Sequence, residues 1–584
     1  MKLRTDSAVL TALFLSVLLG GLPSLAEDSA DLVLRDGVFY PVSQPGSVEG
    51  SLVVAAGRIV FLGPDAKAAR WIDDGTEVLN LGGRAVTPGL IDAHSHLISL
   101  GRALSEVDLV GTSSFQEVVE RVRATATKMP AGDWVNGRGW DQNDWDVKEF
   151  PSHWALSEAV PDHPVWMRRI DGHAALLNAR AMEILGLDES IGDPPGGRFL
   201  RDSEGRLTGV LIDDAMTVAR SGLSHQGADT GAGPAAAAGE SNLEKTGDTA
   251  LADNQRWAVA GAKHCLARGL TTVTEMGIDQ DEVSAYQSLR SAGRLPLRVA
   301  VFLTDEAELL DAWFKRGPEI DTEARLLVRG IKMYSDGALG SRGAALLEDY
   351  SDEPQNLGLL RTSSDHIYDV CGRALDTGFQ IGIHAIGDRG NLIALDGLER
   401  CFLDPRPAAR FRIEHAQVMR LGDIDRMARL GVIASMQPTH ATSDMPWAED
   451  RVGAARIRGA YAWRKVLDAG GRLALGSDFP VELADPAHGL YAAVTRQDAI
   501  GAPVGGWLPG ERLSREEALQ GFTLDAAYSV FLDQEVGSLE VGKRADLVVY
   551  ESDPMTIPAP ELRDVQIDYT LVGGEIVHRR EGAK

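Results

Sequence analysis

The stretch that decides the fold is Ala85-Val-Thr-Pro-Gly-Leu-Ile-Asp-Ala-His-Ser-His96, an apolar run that ends in two imidazoles. On an extended segment, residues i and i+2 project to the same side, so His94 and His96 can face one cation together. Seven later runs have the same make: Gly269-Leu-Thr-Thr-Val-Thr-Glu275, Leu297-Arg-Val-Ala-Val-Phe-Leu303, Gly330-Ile-Lys-Met-Tyr334, Phe379-Gln-Ile-Gly-Ile-His384, Phe411-Arg-Ile-Glu-His415, Gly431-Val-Ile-Ala-Ser-Met436 and Arg472-Leu-Ala-Leu-Gly-Ser-Asp478. Helical stretches separate them. Eight strands alternating with helices predict an α/β protein built on a (β/α)8 barrel. A doubly wound open sheet is the competing arrangement, but no GxGxxG turn follows an early strand.

Working outward, residues 27–84 and 532–584 share a different texture of short apolar runs punctuated by Gly, Pro and Ser. Neither end can bury a core alone, so they are expected to pack into one composite β-sandwich domain beside a barrel spanning 85–531. Barrel strands one and two are about 170 residues apart, far more than an ordinary βαβ unit needs. An insertion of about 101–250 is therefore expected, containing Trp134, Trp140, Trp145, Trp154 and Trp166. Residues 224–254 are rich in Gly, Ala and Thr and read as a linker or lid.

The chain has 584 residues, with 58 basic against 85 acidic and a net charge of −27. Such a surface repels phosphate backbones and anionic headgroups, which argues against nucleic-acid or membrane-surface binding. The three cysteines, Cys265, Cys371 and Cys401, include no CxxC pair. That excludes a thiolate zinc knuckle and allows one bridge at most, and burial as small apolar residues is the expectation. Residues 1–26 read as a signal peptide: Lys2 and Arg4, an apolar run from Ala8 to Leu19, then Ser24-Leu25-Ala26. The mature chain would begin at Glu27, be periplasmic or secreted, and carry no membrane anchor.

The chemistry lies at the strand ends. His94, His96, His384, His415 and Asp478 each close an apolar run, and Lys332 lies inside one. The C-terminal rim of a barrel is where active sites sit, and unpaired polar groups there are costly. A nucleophilic serine is the rival chemistry, yet no GxSxG elbow follows a strand.

These residues, together with Lys332-Met-Tyr-Ser-Asp-Gly-Ala-Leu-Gly-Ser-Arg-Gly-Ala344, His384-Ala-Ile-Gly-Asp388, Arg412-Ile-Glu-His-Ala-Gln417 and Gly476-Ser-Asp478, resemble the metal-dependent amidohydrolase superfamily. Within it they resemble the YtcJ-like branch, amidohydrolase family three, which includes N-substituted formamide deformylases. The resemblance implies a two-metal site, usually zinc. His94, His96 and Asp478 would bind one metal, His384 and His415 the other, and a carboxylated Lys332 would bridge them. A lysine beside dications must lose its proton, and a neutral amine can react with carbon dioxide. The alternative is a Lys332 paired with Asp336. Asp478 would also serve as the catalytic proton carrier.

The implied reaction is hydrolysis of a C–N amide bond in an N-substituted amide or N-acyl compound. Cyclic imides, carbamates, lactones, dipeptides or a non-catalytic binding role are the alternatives, because fold and metal do not fix the substrate. The expected partner is a small-molecule amide, with a homodimer compatible. In the insertion, Trp140, Arg169 and His173 are substrate-binding candidates, with the tryptophans alternatively forming the insertion's own core. Arg342 would hold a substrate carboxylate or pair with Asp336.

Overall fold

The structure, a computed structural model, describes residues 30–194, 197–224, 247–402 and 407–583. The expected signal peptide and most of the 224–254 segment lie outside the described residues.

Eight parallel strands form the barrel sheet: β1 Leu90–Ser95, β2 Leu270–Ile278, β3 Arg298–Thr304, β4 Leu326–Tyr334, β5 Gln380–Ala385, β6 Arg412–His415, β7 Ile433–Met436 and β8 Leu473–Leu475. They pair in sequence order. Helices cover the outside, so most strand residues are buried on both faces and read as near-continuous apolar runs. The seam between β8 and β1 is held by polar bonds. The Asp478 amide donates to the His94 carbonyl at 2.8 Å, and the Ser477 hydroxyl donates to Asp92 at 2.6 Å. Gly476 is required there, because a Cβ would lie 2.5 Å from Asp92 Oδ1 and 2.7 Å from the His94 nitrogen.

The expected first barrel strand divides in two. Ala85–Pro88 pairs with Val38, Phe39 and the Leu547–Tyr550 strand, while β1 begins only at Leu90. At Gly89, between them, a Cβ would meet the Thr271 side chain at 2.1 Å. One apolar run thus serves two sheets. The second is eight-stranded: with Ala85–Pro88 it combines Leu32–Phe39, Val48–Ala55, Arg58–Gly63 and Glu77–Asn80 with Leu547–Tyr550, Ile567–Val572 and Glu575–Arg579. Leu34, Leu52, Val86 and Leu547 share one of its apolar clusters, and Val33, Val53 and Ala68 another.

Between the helices Leu97–Ala103 and Gly247–Leu266 lies a six-stranded sheet running from Val107–Asp108 to Leu207–Asp213. Trp140 and Trp145 belong to one of its cores, and Trp134 and Trp166 to the other.

The cysteine expectation needs correction. Cys371, on the helix Ser364–Thr377, is disulfide-bonded to Cys401 at the end of Asp388–Cys401, with Cα atoms 6.3 Å apart. These adjacent outer helices bring together two residues that spacing alone could not pair. Cys265 is buried and free.

Candidate metal centre

The strand ends converge at the barrel mouth. The ring centroids of His94 and His415 are 4.7 Å apart, as are those of His384 and His415, and His94 and His96 lie 5.7 Å apart. Asp478 Oδ1 is 3.1 Å from His96 Nε2 and 3.6 Å from His94 Nε2. Lys332 Nζ is 3.2 Å from His94 Nε2. All six predicted ligands therefore share one mouth. Two stand on strained backbone, His415 at φ 70° and Asp478 at φ 62°. Left-handed conformations in non-glycine residues cluster at functional sites.

A surrounding layer of acceptors fixes each imidazole. His94 Nδ1 donates to Glu414 at 2.7 Å, His96 Nδ1 to the Met276 carbonyl at 3.1 Å, and His415 Nδ1 to Gln437 Oε1 at 2.9 Å. In all three the proton is on Nδ1, which leaves the Nε2 lone pair open. His384 is turned the other way: its Nε2 donates to the Gly337 carbonyl at 3.3 Å, leaving Nδ1 open. Glu414 is itself clamped by Arg412, with Nε to Oε1 at 2.6 Å and Nη2 to Oε2 at 2.7 Å.

This arrangement fits a cation. His96 Nε2 and Asp478 Oδ1 are both acceptors, and Asp478 Oδ1 has no hydrogen-bond donor although it is buried. Lone pairs brought this close, with no proton between them, are stable only around positive charge. The donor atoms of His94, His96 and Asp478 lie within 4.8 Å of one another.

The electrostatics agree. Burial, then the neighbouring Lys332, push His94 down to about 3, so it stays neutral. Burial, then His415, holds His384 well below the imidazole range; burial, then His94, does the same to His415. Burial pushes the Lys332 ammonium down to about 8. Asp336 accepts from the amides of Ala345, Ile386 and Gly387 and lies 3.6 Å from His384 Nε2, beyond hydrogen-bond reach. It is not the partner of Lys332.

The centre opens into a cavity of about 770 Å³, the size of a small-molecule site, bounded on one side by the insertion. His173 and Arg169 line it. His173 Nδ1 donates to Asp213 at 2.8 Å. The Arg169 guanidinium is occupied by Asp141, Asp171 and Gln142 and so shapes the wall. Trp140 and Arg342 are not brought to the cavity. The Trp140 indole donates to the Met167 carbonyl at 2.8 Å inside the insertion core. Arg342 is spent on Asp352 at 2.9 Å and Glu353 at 3.3 Å. Their expected substrate roles therefore give way to packing and to a surface ion pair. Sequence reading missed Glu414, Gln437 and His440. Only their place within β6 or just after β7 could have signalled them.

A parallel eight-stranded barrel with candidate metal ligands at its C-terminal rim is an arrangement found in metal-dependent barrel hydrolases. Residues 77–578 match the model of the amidohydrolase family, and the chain belongs to that family. It is 33% identical over 538 residues to the protein LONG AFTER FAR-RED 3 of Arabidopsis thaliana, covering 90% of this chain and 88% of the relative. It is 27% identical to an N-substituted formamide deformylase of Arthrobacter pascens, covering 95% and 99%. Among solved structures it is similar to an uncharacterized metal-dependent hydrolase of Pyrococcus furiosus, with 30% identity, a TM-score of 0.69, and coverage of 90% and 100%.

Proposed function

We propose that this protein is an exported amidohydrolase that cleaves a C–N amide bond in an N-substituted amide or N-acyl compound. The observation that carries the reading is the convergence of unprotonated nitrogens and a carboxylate at one barrel mouth. His94, His96 and Asp478 would hold one zinc and His384 and His415 a second, with a carboxylated Lys332 as the anionic ligand common to both. The lowered Lys332 amine supports that bridge, because only its neutral form reacts with carbon dioxide. When bound, such a metal pair polarises the scissile carbonyl and makes water a nucleophile at neutral pH.

The chain's own groups do the rest. Asp478 takes a proton from the attacking water and delivers it to the departing nitrogen. Glu414 and Gln437 keep His94 and His415 from turning. His173 donates from Nδ1 to Asp213, a bond that raises the imidazole's pKa against burial, and in its protonated form it donates from Nε2 to the substrate carbonyl. Similarity to a formamide deformylase supports the amide substrate. The Cys371–Cys401 bridge supports an oxidising compartment, in keeping with the leader-like N-terminus.

The test is to load purified protein with zinc, count metal per chain, and assay N-formyl, N-acetyl and dipeptide amides. About two metals and turnover of an N-substituted amide are expected. Asp478→Asn should lower kcat by about 10²–10⁴ while much of the metal remains bound. A chain that takes up no metal, or an Asp478→Asn variant with full activity, would overturn the reading.

A further inference from the structure

One imidazole at this mouth has no role in the scheme above. His440 stands on the short helix Pro438–Asp444, directly after β7. The turn Gln437-Pro-Thr-His440 delivers two groups to the centre. Gln437 fixes the His415 tautomer, and three residues later His440 arrives against the same imidazole. The rings of His415 and His440 stack with centroids 5.8 Å apart and planes within 17°. His440 Nε2 lies 3.8 Å from Asp478 Oδ2, is shielded from solvent, and has no hydrogen-bond partner among the described residues. A buried ring nitrogen without a partner costs free energy comparable to a lost hydrogen bond. The donor atoms of His415, His440 and Asp478 lie within 4.8 Å of one another, as do those of His94, His96 and Asp478.

We propose that His440 is a further donor to the metal centre, on the His415 side, sharing Asp478 with the His94–His96 pair. This inference rests on the proposed metal-dependent chemistry. It adds a ligand that none of the strand-end positions supplies. Asp478 then faces His96 through one oxygen and His440 through the other, and the open nitrogen of His440 acquires a partner. The competing role is electrostatic: His440 would be a cation that offsets Asp444, Glu482 and Asp478, the carboxylates around it.

Two substitutions separate these roles. His440→Asn removes both the charge and the donor. His440→Glu supplies a carboxylate donor but adds a fourth negative charge to the cluster. Metal-free proteins would be titrated with Zn²⁺ alone against a competing chelator, and with Co²⁺ alone while its visible absorption is followed. For a ligand, His440→Asn should weaken the looser site at least about tenfold and change the cobalt spectrum. His440→Glu should recover much of the affinity. Equal affinities and an unchanged spectrum for wild type and His440→Asn would overturn the inference while leaving the metal-dependent reading intact. So would a His440→Glu variant that is worse than Asn. A wild-type protein that binds neither metal would remove both. A measurement on the unaltered protein guards against variants that fail to fold. In an anomalous-scattering map of zinc-loaded crystals, His440 Nε2 should lie about 2.0–2.1 Å from a metal. A metal-filled centre with His440 turned away would overturn the inference.

Discussion

Among the described residues, Arg412–Glu414 and Arg298–Asp546 are arginine–carboxylate pairs with almost no exposure, and they serve different ends. Arg412 clamps Glu414 inside the barrel, with both side chains 0% exposed. Arg298, at the start of β3, grips Asp546 just before the strand Leu547–Tyr550, with both 1% exposed. Each is bidentate: Arg298 Nε and Nη2 reach Asp546 at 2.7 and 2.8 Å. The difference lies in what else the carboxylate touches. Glu414 also accepts the proton of His94 and so aims a metal-ligand candidate. Asp546 also accepts the Gly573 amide at 2.8 Å and so fastens the terminal sheet to the barrel. Burial and pairing by themselves do not reveal function. The third partner does.

The comparison can be broken directly. Glu414→Gln leaves Arg412 uncompensated, and breaking such a buried pair costs about 3–5 kcal/mol. It should also weaken metal binding about 10–100-fold, because His94 exchanges an anionic acceptor for a neutral amide oxygen. Asp546→Asn should cost a comparable amount of stability but leave metal affinity unchanged once the protein is folded. Denaturant melts alongside metal titrations check both. Equal metal loss in the two variants would erase the distinction. Trp140→Ala should cost about 3–5 kcal/mol as a large-to-small core change, without altering substrate preference among amides. A changed preference with unchanged stability would return Trp140 to the cavity wall.

Lys332 sharpens the contrast through pH. Its folded pKa of about 8 lies below the ordinary lysine value of 10.5, so between those limits the unfolded chain holds more protons. Stability of the metal-free protein from this group therefore rises with pH across that window. Lys332→Met should raise the melting temperature of metal-free protein more at pH 7 than at pH 10. A pH-independent difference would show that burial of this amine does not matter. The smallest effect is expected at Arg342, whose partners sit near the surface. Arg342→Ala should change stability by about 1 kcal/mol or less and leave KM unchanged. A large rise in KM would contradict its exclusion from the cavity.

Much of this was legible in the chain. Apolar runs ending in His94, His384, His415 and Asp478 pointed to barrel strands with ligands at their ends, because strand burial and rim chemistry both leave local marks. Other features left weaker ones or none. Pro88-Gly89 marks a local break between Ala85-Val-Thr-Pro and Leu90, but both halves are apolar, and that they serve different sheets is set by pairing with distant strands. Trp140 and Arg342 looked like substrate groups because residue type does not disclose a partner, and Met167, Asp352 and Glu353 claim them only after folding.

What the sequence determined alone was the strand-and-helix rhythm, the acidic balance and the imidazoles and carboxylate placed at strand ends, all consequences of short-range pattern and composition. The tertiary structure alone decided the bond between Cys371 and Cys401, the tautomers imposed by Glu414 and Gln437, and the arrival of His440 beside Asp478. Those depend on distances between residues far apart in the chain, and only barrel closure sets such distances.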